Sequence, residues 1–476
     1  MSQTTIAGAL LNDAPSLTGL LDAHPGLRII TRSNAEYDAL RQGFNFYNNT
    51  TEPLAIILPE DEIELAGAVK YCTSLTPHVP LTVRSGGHDM HGRYILEGAI
   101  LLDVSQVNHI RVSPDRQAVT IGPGVRGLAL LQALEPQGLT ANVGWCGQVG
   151  VTGWASGGGY GVGVGLWGMG VDNILGARVI TPGPGAGKVV DTDDDPELLW
   201  AIRGAGLGNF GVITELRLKV HERPRQLAGL VVFPLAEARE VLLDGLQSLR
   251  DEGKLPANFN AEFTVGNTPG IGPTVSFLWS WICESNSDAS VERGWKFHRE
   301  FKELGTVLLD TVAETTMCAY HEFLDPLLAT GGYHHFNSAA SSRLTPELIQ
   351  VLLDNPPPEK YAGSAILFHH SHHQATRPNL LAAFAIREDH YLWGVNGAAL
   401  VTSTPEEQEE SRRWPNKIYE GIVGSGSTSD KGYWSFSRPE HADAVKYFGE
   451  EAVDRLRVLK EKYNPGNALP QAYPVL

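Results

Sequence analysis

The stretch Gly144-Trp145-Cys146-Gly147-Gln148-Val149-Gly150-Val151-Thr152-Gly153-Trp154-Ala155-Ser156-Gly157-Gly158-Gly159-Tyr160-Gly161 decides how the chain is read. Glycine this dense does not support a helix or strand interior, where each residue costs roughly 0.5–1 kcal/mol relative to alanine. It lets backbone approach a large planar ligand instead. Within this segment neither a GxGxxG in a strand-turn-helix setting nor a GxxxxGK[ST] phosphate loop occurs, which disfavours nucleotide binding by those two routes. Upstream, Val83-Arg84-Ser85-Gly86-Gly87-His88-Asp89 follows a strand and sets two glycines before a histidine. Such a turn accommodates positive φ and aims backbone N–H groups at a phosphate without needing lysine. A third cluster, Arg203-Gly204-Ala205-Gly206-Leu207-Gly208-Asn209-Phe210-Gly211-Val212, runs into a strand.

Outward from these clusters the pattern alternates. Leu54 to Leu58 reads as a strand, Leu65, Val69 and Cys72 mark a helix, and Pro80 to Arg84 reads as a second strand, which together suggest α/β packing. Ala99 to Val104, Ala118 to Ile121, Ala177 to Thr181 and Gly211 to Val220 read as further strands, and Val125 to Gln137 as a helix closed by Gly138. After about Val220 glycine thins while tryptophan and histidine rise, and Pro224 marks a boundary. The tail Val445 to Tyr463 predicts a helix with Ala452, Leu456, Leu459 and Tyr463 on one face.

The 476 residues carry 37 Lys+Arg against 54 Asp+Glu, a net charge of −17 that excludes a duplex-binding surface and leaves no nucleic-acid partner to expect. At 42% hydrophobic and 19% charged the chain can bury a large core in two or three compact units. Cys72, Cys146, Cys283 and Cys318 show no CxxC pair, which argues against structural zinc and a disulfide framework. Met1 to Ala14 lacks a basic region followed by an apolar run, and nothing reaches the roughly 18 apolar residues of a membrane helix, so the expectation is a cytoplasmic protein with no membrane partner. The acceptor patterns in Asn48-Asn49-Thr50-Thr51 then mean only a polar loop.

The order SGGH, then GxCxxVGVxGxxSGGGYG, then DNILGARV, then ELLWAIRGAGxxNFG resembles the berberine-bridge-enzyme-like branch of the FAD-linked oxidoreductases, in the vanillyl-alcohol-oxidase superfamily with its PCMH-type FAD-binding domain. The likeness covers Pro53 to about Val220 and returns at Lys446 to Gly449 and Lys462 to Asn467. It implies an α+β fold in which two FAD-binding subdomains, residues 1–222 with a core at 53–222 and a returning segment at 441–476, enclose an inserted substrate domain, 223–440, whose antiparallel sheet is flanked by helices. It also implies bicovalent FAD, with His88 on the 8-methyl carbon and Cys146 on ring carbon 6. Arg84, Ser85, Gly86, Gly87 and Asp89 match the pyrophosphate loop, and Val149, Gly150 and Gly153 match backbone over the ring system. Gly157, Gly158 and Tyr160 fall in the same glycine-rich motif, while Gly211 and Val212 match a segment near the adenosine half. Two covalent links should make the flavin a stronger oxidant and leave an open cleft; the bland alternative for Cys146 is a buried thiol.

Hydride abstraction needs a partner for the accompanying proton, and histidine suits that role. In Phe368-His369-His370-Ser371-His372-His373 a strand would send His369, Ser371 and His373 one way and His370 and His372 the other. One face should line the cleft, with His370 the first candidate, then His369 and His372; splitting the imidazoles between faces argues against a metal. In the plant alkaloid enzymes of that family a glutamate base occupies the position that resembles Thr376 here, and Ser435 replaces the family's asparagine in Tyr433-Trp434-Ser435-Phe436, leaving Tyr433 as a phenol near the ring. Tyr333-His334-His335 precedes a further stretch matched to substrate-facing residues. The expected function is an FAD-dependent oxidase acting on a C–H or C–OH centre of a hydrophobic small molecule of secondary metabolism, with O₂ as acceptor giving hydrogen peroxide. A redox-neutral dehydration, isomerisation or cyclisation in a histidine-rich cleft stays open, as does a non-catalytic flavin carrier, and oligomeric state is not set by the sequence.

Overall fold

Ala55–Leu58 and Ile100–Asp103 are buried at every position, as strands covered on both faces must be. They form the parallel centre of a four-stranded sheet ordered Arg28–Ile30, Ala55–Leu58, Ile100–Asp103, Leu81–Arg84, with only the first strand antiparallel. Helix Glu62–Thr73 packs on it through Leu65, Ala68, Val69 and Cys72, and Asp61 caps that helix by accepting from the Glu64 N–H. This computed structural model describes residues 13–183, 185–328, 331–361, 363–429, 432–438, 443–473 and 475–476. The reading of Met1 to Asn12 and the boundary at 440 lie outside the described residues.

An antiparallel five-stranded sheet follows, ordered Ile110–Val112, Ala118–Ile121, Val212–Lys219, Ile174–Thr181, Lys188–Asp191. The two sheets flank the glycine-rich segments. The helix expected over Val125 to Gln137 is α-helical only at Gly127–Leu134 and tightens into a 3₁₀ turn at Glu135–Gln137, ending on Gly138 at φ 67°. The tail breaks at Gly449 into Ala444–Phe448 and Glu450–Tyr463, because Gly449 sits at φ 80°. The second helix buries Val453, Leu456, Leu459 and Tyr463 against Pro196–Ala205, where Arg455 lies over the Trp200 ring and pairs with Glu197. At the edge of the first sheet the Leu81 N–H donates to the Ala468 carbonyl, tying the end of the chain to that sheet.

Apart from a two-stranded pairing of Leu139–Thr140 with His221–Glu222, the remaining strands build an eight-stranded antiparallel sheet, ordered Leu309–Asp310, Gln226–Pro234, Gly272–Ile282, Phe259–Thr268, Ala365–Ser371, His390–Ala399, Tyr333–Ser341, with Ala313–Thr315 also pairing the second strand. Alternation divides its faces. Phe263, Phe277, Phe368 and Trp393 point to an aromatic core closed by Phe297 and Phe301 of helix Asp288–Lys302, and Phe263 stacks on Phe368 at 4.5 Å. The other face looks across a cavity at the glycine-rich loops. The architecture is α+β, with an antiparallel sheet flanked by helices.

Candidate active site

Two loops meet where neither has room for a side chain. A Cβ at Gly86 would stand 2.5 Å from the Gly150 nitrogen, and one at Gly150 would stand 2.7 Å from the Gly86 nitrogen. Glycine at both positions lets the turn carrying His88 lie against the loop carrying Cys146. The result brings Cys146 Sγ to 3.7 Å from His88 Nε2, with both residues on one cavity wall. The His88 ring stacks on Phe44 at 4.0 Å, and Phe44 stacks on His334 at 4.7 Å, which fixes the imidazole plane. Burial, with Arg126 nearby, lowers His88 to about 4, so its ring is neutral and keeps a nucleophilic lone pair. Burial raises the Cys146 thiol to about 11.

The cavity has a volume of about 610 Å³ and runs from these loops to the eight-stranded sheet. Ser85, Gly86, Gly87, Asp89, Val149, Gly150, Gly153, Tyr160, Gly211 and Val212 line it together with His88 and Cys146. Asp89 is held by Arg93, whose guanidinium also donates to the Ser435 carbonyl at 2.6 Å. Three expected cofactor residues stand outside this lining. Arg84 turns away to pair with buried Asp103 and to donate to the Gln42 carbonyl. Gly157 packs against Ser435 and Trp434, and Gly158 against Phe384 and Tyr433, so both serve close packing behind the wall.

On the sheet, register sets Glu262 opposite His369, Thr264 opposite Leu367 and Ser276, and Gly266 opposite Thr274. Glu262, Thr264, Thr268, Thr274, Ser276, Leu367, His369 and Asn396 therefore share the cavity face. Glu262 Oε2 lies 3.1 Å from His369 Nδ1, both side chains being almost fully buried, though the approach falls short of hydrogen-bond alignment. Burial pushes Glu262 up to about 8 and His369 down to about 4. Tyr433 lines the same chamber and its hydroxyl accepts from the Gly159 N–H at 3.2 Å; its ring lies 4.9 Å from Tyr160, whose hydroxyl is 2.6 Å from His390 Nε2.

The preference for His370 is corrected by the pleat. His370 and His372 follow Phe368 onto the core side of the sheet. There His370 Nε2 lies 2.9 Å from Asp389, which also holds Arg250, and the ring stacks between Tyr391 and His372. Of the three, His369 alone lines the cavity. His373 lies beyond the strand at φ 48°, its Nε2 2.7 Å from the Leu255 carbonyl. Thr376 bonds its own turn at His373 and does not line the cavity. Glu262 was missed, although Asn260, Glu262, Thr264 alternating with Ala261, Phe263, Val265 is a strand signal that places one acid among small polar residues. Among the described residues no group of three or more His, Cys, Asp or Glu side chains could hold a metal ion.

Bare backbone curved around a long cavity, with an imidazole and a thiol at its edge, suits a flavin better than a phosphate loop would. Thr152 Oγ1 and Asn396 Oδ1, buried cavity-side atoms without hydrogen-bond partners, are available to a ligand. Fold and site thus define a flavin-dependent oxidoreductase. The FAD binding domain family matches residues 53–193. FAD-linked oxidoreductase aurO of Gibberella zeae is 33% identical over 457 residues, covering 95% of this chain and 86% of that protein. A berberine bridge enzyme variant in complex with (S)-reticuline superposes with a TM-score of 0.82 at 20% identity, over 98% and 99% of the two chains. Glucooligosaccharide oxidase from Acremonium strictum gives 0.78 at 20% identity, over 95% and 97%. The chain belongs to the FAD-linked oxidoreductases, with the PCMH-type, berberine-bridge-like architecture. No helix among the described residues is long and apolar enough to cross a membrane.

Proposed function

We propose that this chain is an oxidase whose FAD is attached at His88 and Cys146 and whose Glu262–His369 pair takes the proton released when a small-molecule alcohol or activated C–H centre is oxidised. The observation that carries the reading is the cavity itself: attachment pair on one wall, proton-accepting pair on the other. The solved Acremonium strictum neighbour is described as carrying a 6-S-cysteinyl, 8α-N1-histidyl FAD, which supports the same two residue types here. When bound, FAD would supply the two-electron acceptor, and O₂, itself reduced to hydrogen peroxide, would take the electrons on.

The chain's own groups then have defined tasks. When FAD is bound, Ser85 to Gly87 would offer backbone to the pyrophosphate, Val149 to Gly153 would cover the ring system, and Gly211 with Val212 would flank the adenosine half. Once deprotonated, above about pH 8, Glu262 attracts the Nδ1–H of His369 3.1 Å away, which frees Nε2 to accept the substrate proton. Tyr433 orients the reacting group. Phe336, Phe436, Leu327 and Leu328 supply apolar surface, while Thr268, Thr274 and Ser276 supply hydroxyls, so a hydrophobic substrate bearing a few oxygen functions fits the lining. The division into 1–222, 223–440 and 441–476 follows from the same reading, as does a role in secondary metabolism. Glu262 supplies the carboxyl whose absence at Thr376 motivated a redox-neutral alternative.

Acid-precipitated protein should stay yellow and gain the mass of one FAD, and turnover should release hydrogen peroxide. Colourless protein made with ample riboflavin, or substrate turnover under anaerobic conditions without bleaching of the flavin band, would overturn the reading.

A further inference from the structure

Cys146 lies in a loop that one helix of the opposite half of the chain grips on both sides. From helix Met317–Leu328, Asp325 accepts the Gly147 N–H at 2.7 Å and the Gln148 side-chain amide at 2.7 Å. One turn earlier His321 Nε2 lies 2.9 Å from the Gly144 carbonyl, while its Nδ1 lies 2.8 Å from the Met317 carbonyl of its own helix. His321 and Asp325 are spaced i, i+4, so they share one helix face, and both are buried. Their contacts fall at Gly144 and Gly147, on either side of the cysteine. The neighbouring helix Gly127–Leu134 completes the grip, with the Leu128 N–H donating to the Gly147 carbonyl at 2.9 Å and the Gly127 N–H to the Val149 carbonyl at 3.1 Å.

Gly147 is what permits this approach: a Cβ there would stand 2.7 Å from Leu128 Cβ and 2.9 Å from both Asp325 oxygens. A buried carboxylate accepting a backbone N–H and an amide is a strong, directional anchor. It is spent on a loop whose one reactive side chain is Cys146.

We propose that Asp325, seconded by His321, positions the Cys146 thiol for its bond to the flavin, so that a substrate-domain helix governs the second covalent link. The inference rests on the bicovalent reading. In the step, Cys146 Sγ bonds to ring carbon 6; the thiol hydrogen and the ring hydrogen leave as protons, and the electron pair left on the ring passes to O₂, giving hydrogen peroxide. Asp325 touches neither the thiol nor the flavin in this scheme and is a positioning residue.

The test compares wild type with Asp325→Ala, Asp325→Asn and Gln148→Ala as purified holoproteins. Each is denatured and alkylated with N-ethylmaleimide, and peptide mass spectrometry reads FAD on His88 and free thiol at Cys146. Wild type should show both bonds. Asp325→Ala should keep FAD on His88 but leave Cys146 free in most molecules. Asp325→Asn, which retains an acceptor for Gly147 and can donate to a turned Gln148 amide, should restore the link; general destabilisation would not produce this selective loss and rescue. Gln148→Ala, at a half-buried position, should show partial loss at unchanged Tm and keeps the test alive should Asp325→Ala fail to fold. Wild type with FAD on His88 and Cys146 fully alkylated overturns the bicovalent reading and the proposal with it. Wild type with both bonds and Cys146 fully linked in the folded variants overturns the positioning role alone.

Discussion

Glu262 Oε2 stands 3.1 Å from His369 Nδ1 across neighbouring strands, and burial drives the two groups toward neutrality from opposite directions, to about 8 and about 4. Below pH 8 the proton stays on the carboxyl. A base at His369 Nε2 needs that proton gone, so that Nδ1–H can point at a carboxylate. The expected consequence is a kcat/KM that rises with pH and levels off above about 8. Glu262→Gln should lower kcat by roughly two to four orders of magnitude and abolish that rise while the flavin absorbance is retained. Wild-type activity flat from pH 6 to 9 would remove the pair from catalysis.

The same shift predicts a stability change. Between pH 6.5 and 8 the folded chain keeps the Glu262 proton while an unfolded chain has lost it, so the folded state binds more protons and stability falls as pH rises. His369, lowered to about 4, is neutral in the folded state throughout this window. The loss is on the order of 2 kcal/mol. Comparing Tm across pH 6.5 to 8 in wild type and Glu262→Gln checks it, since the glutamine variant should lack this component of the decline.

His370→Gln separates the two faces of the sheet. His370 contacts Asp389, Tyr391 and His372 on the core side of the sheet and does not line the cavity, so its replacement should lower Tm, by about 1–3 kcal/mol in stability, with kcat and flavin content near wild type. A selective fall in kcat at unchanged Tm would return His370 to the site.

Local periodicity made much of this legible. Ala55 to Leu58 could be read as a strand because an unbroken apolar run between turn signals has few other uses, and the alternation around Phe368 foretold that the histidines divide between faces. Which face meets the ligand was not legible, because that depends on what packs against each side: Phe297 and Phe301 cover Phe368's face from a helix far upstream in the chain. Gly86 and Gly150 were legible as glycines needing a reason, yet their mutual contact is tertiary. Arg84 shows the limit most plainly. Its place in the turn suggested a phosphate, but Asp103 of the adjacent parallel strand claims it.

Cys146→Ala should leave the flavin attached through His88, with a lower potential and lower turnover. Intact-mass measurement after denaturation should still show one FAD per chain. Loss of all covalent flavin in this variant would mean that His88 cannot hold the group alone.

Gly150→Ala probes the contact between the two loops. Gly150 sits at φ −66° and ψ 122°, a conformation open to any residue, so backbone strain does not enter. The added Cβ instead meets the Gly86 nitrogen at 2.7 Å, and backbone cannot swing aside as the end of a side chain can. Separating the loops should cost about 1–3 kcal/mol and widen the gap between His88 and Cys146. On the bicovalent reading the two links then cannot both reach the flavin, so purified Gly150→Ala should carry less doubly attached flavin than wild type at equal expression. Doubly attached flavin at wild-type level, with unchanged Tm, would show that the close approach of Gly86 and Gly150 is not what sets the spacing of the attachment pair.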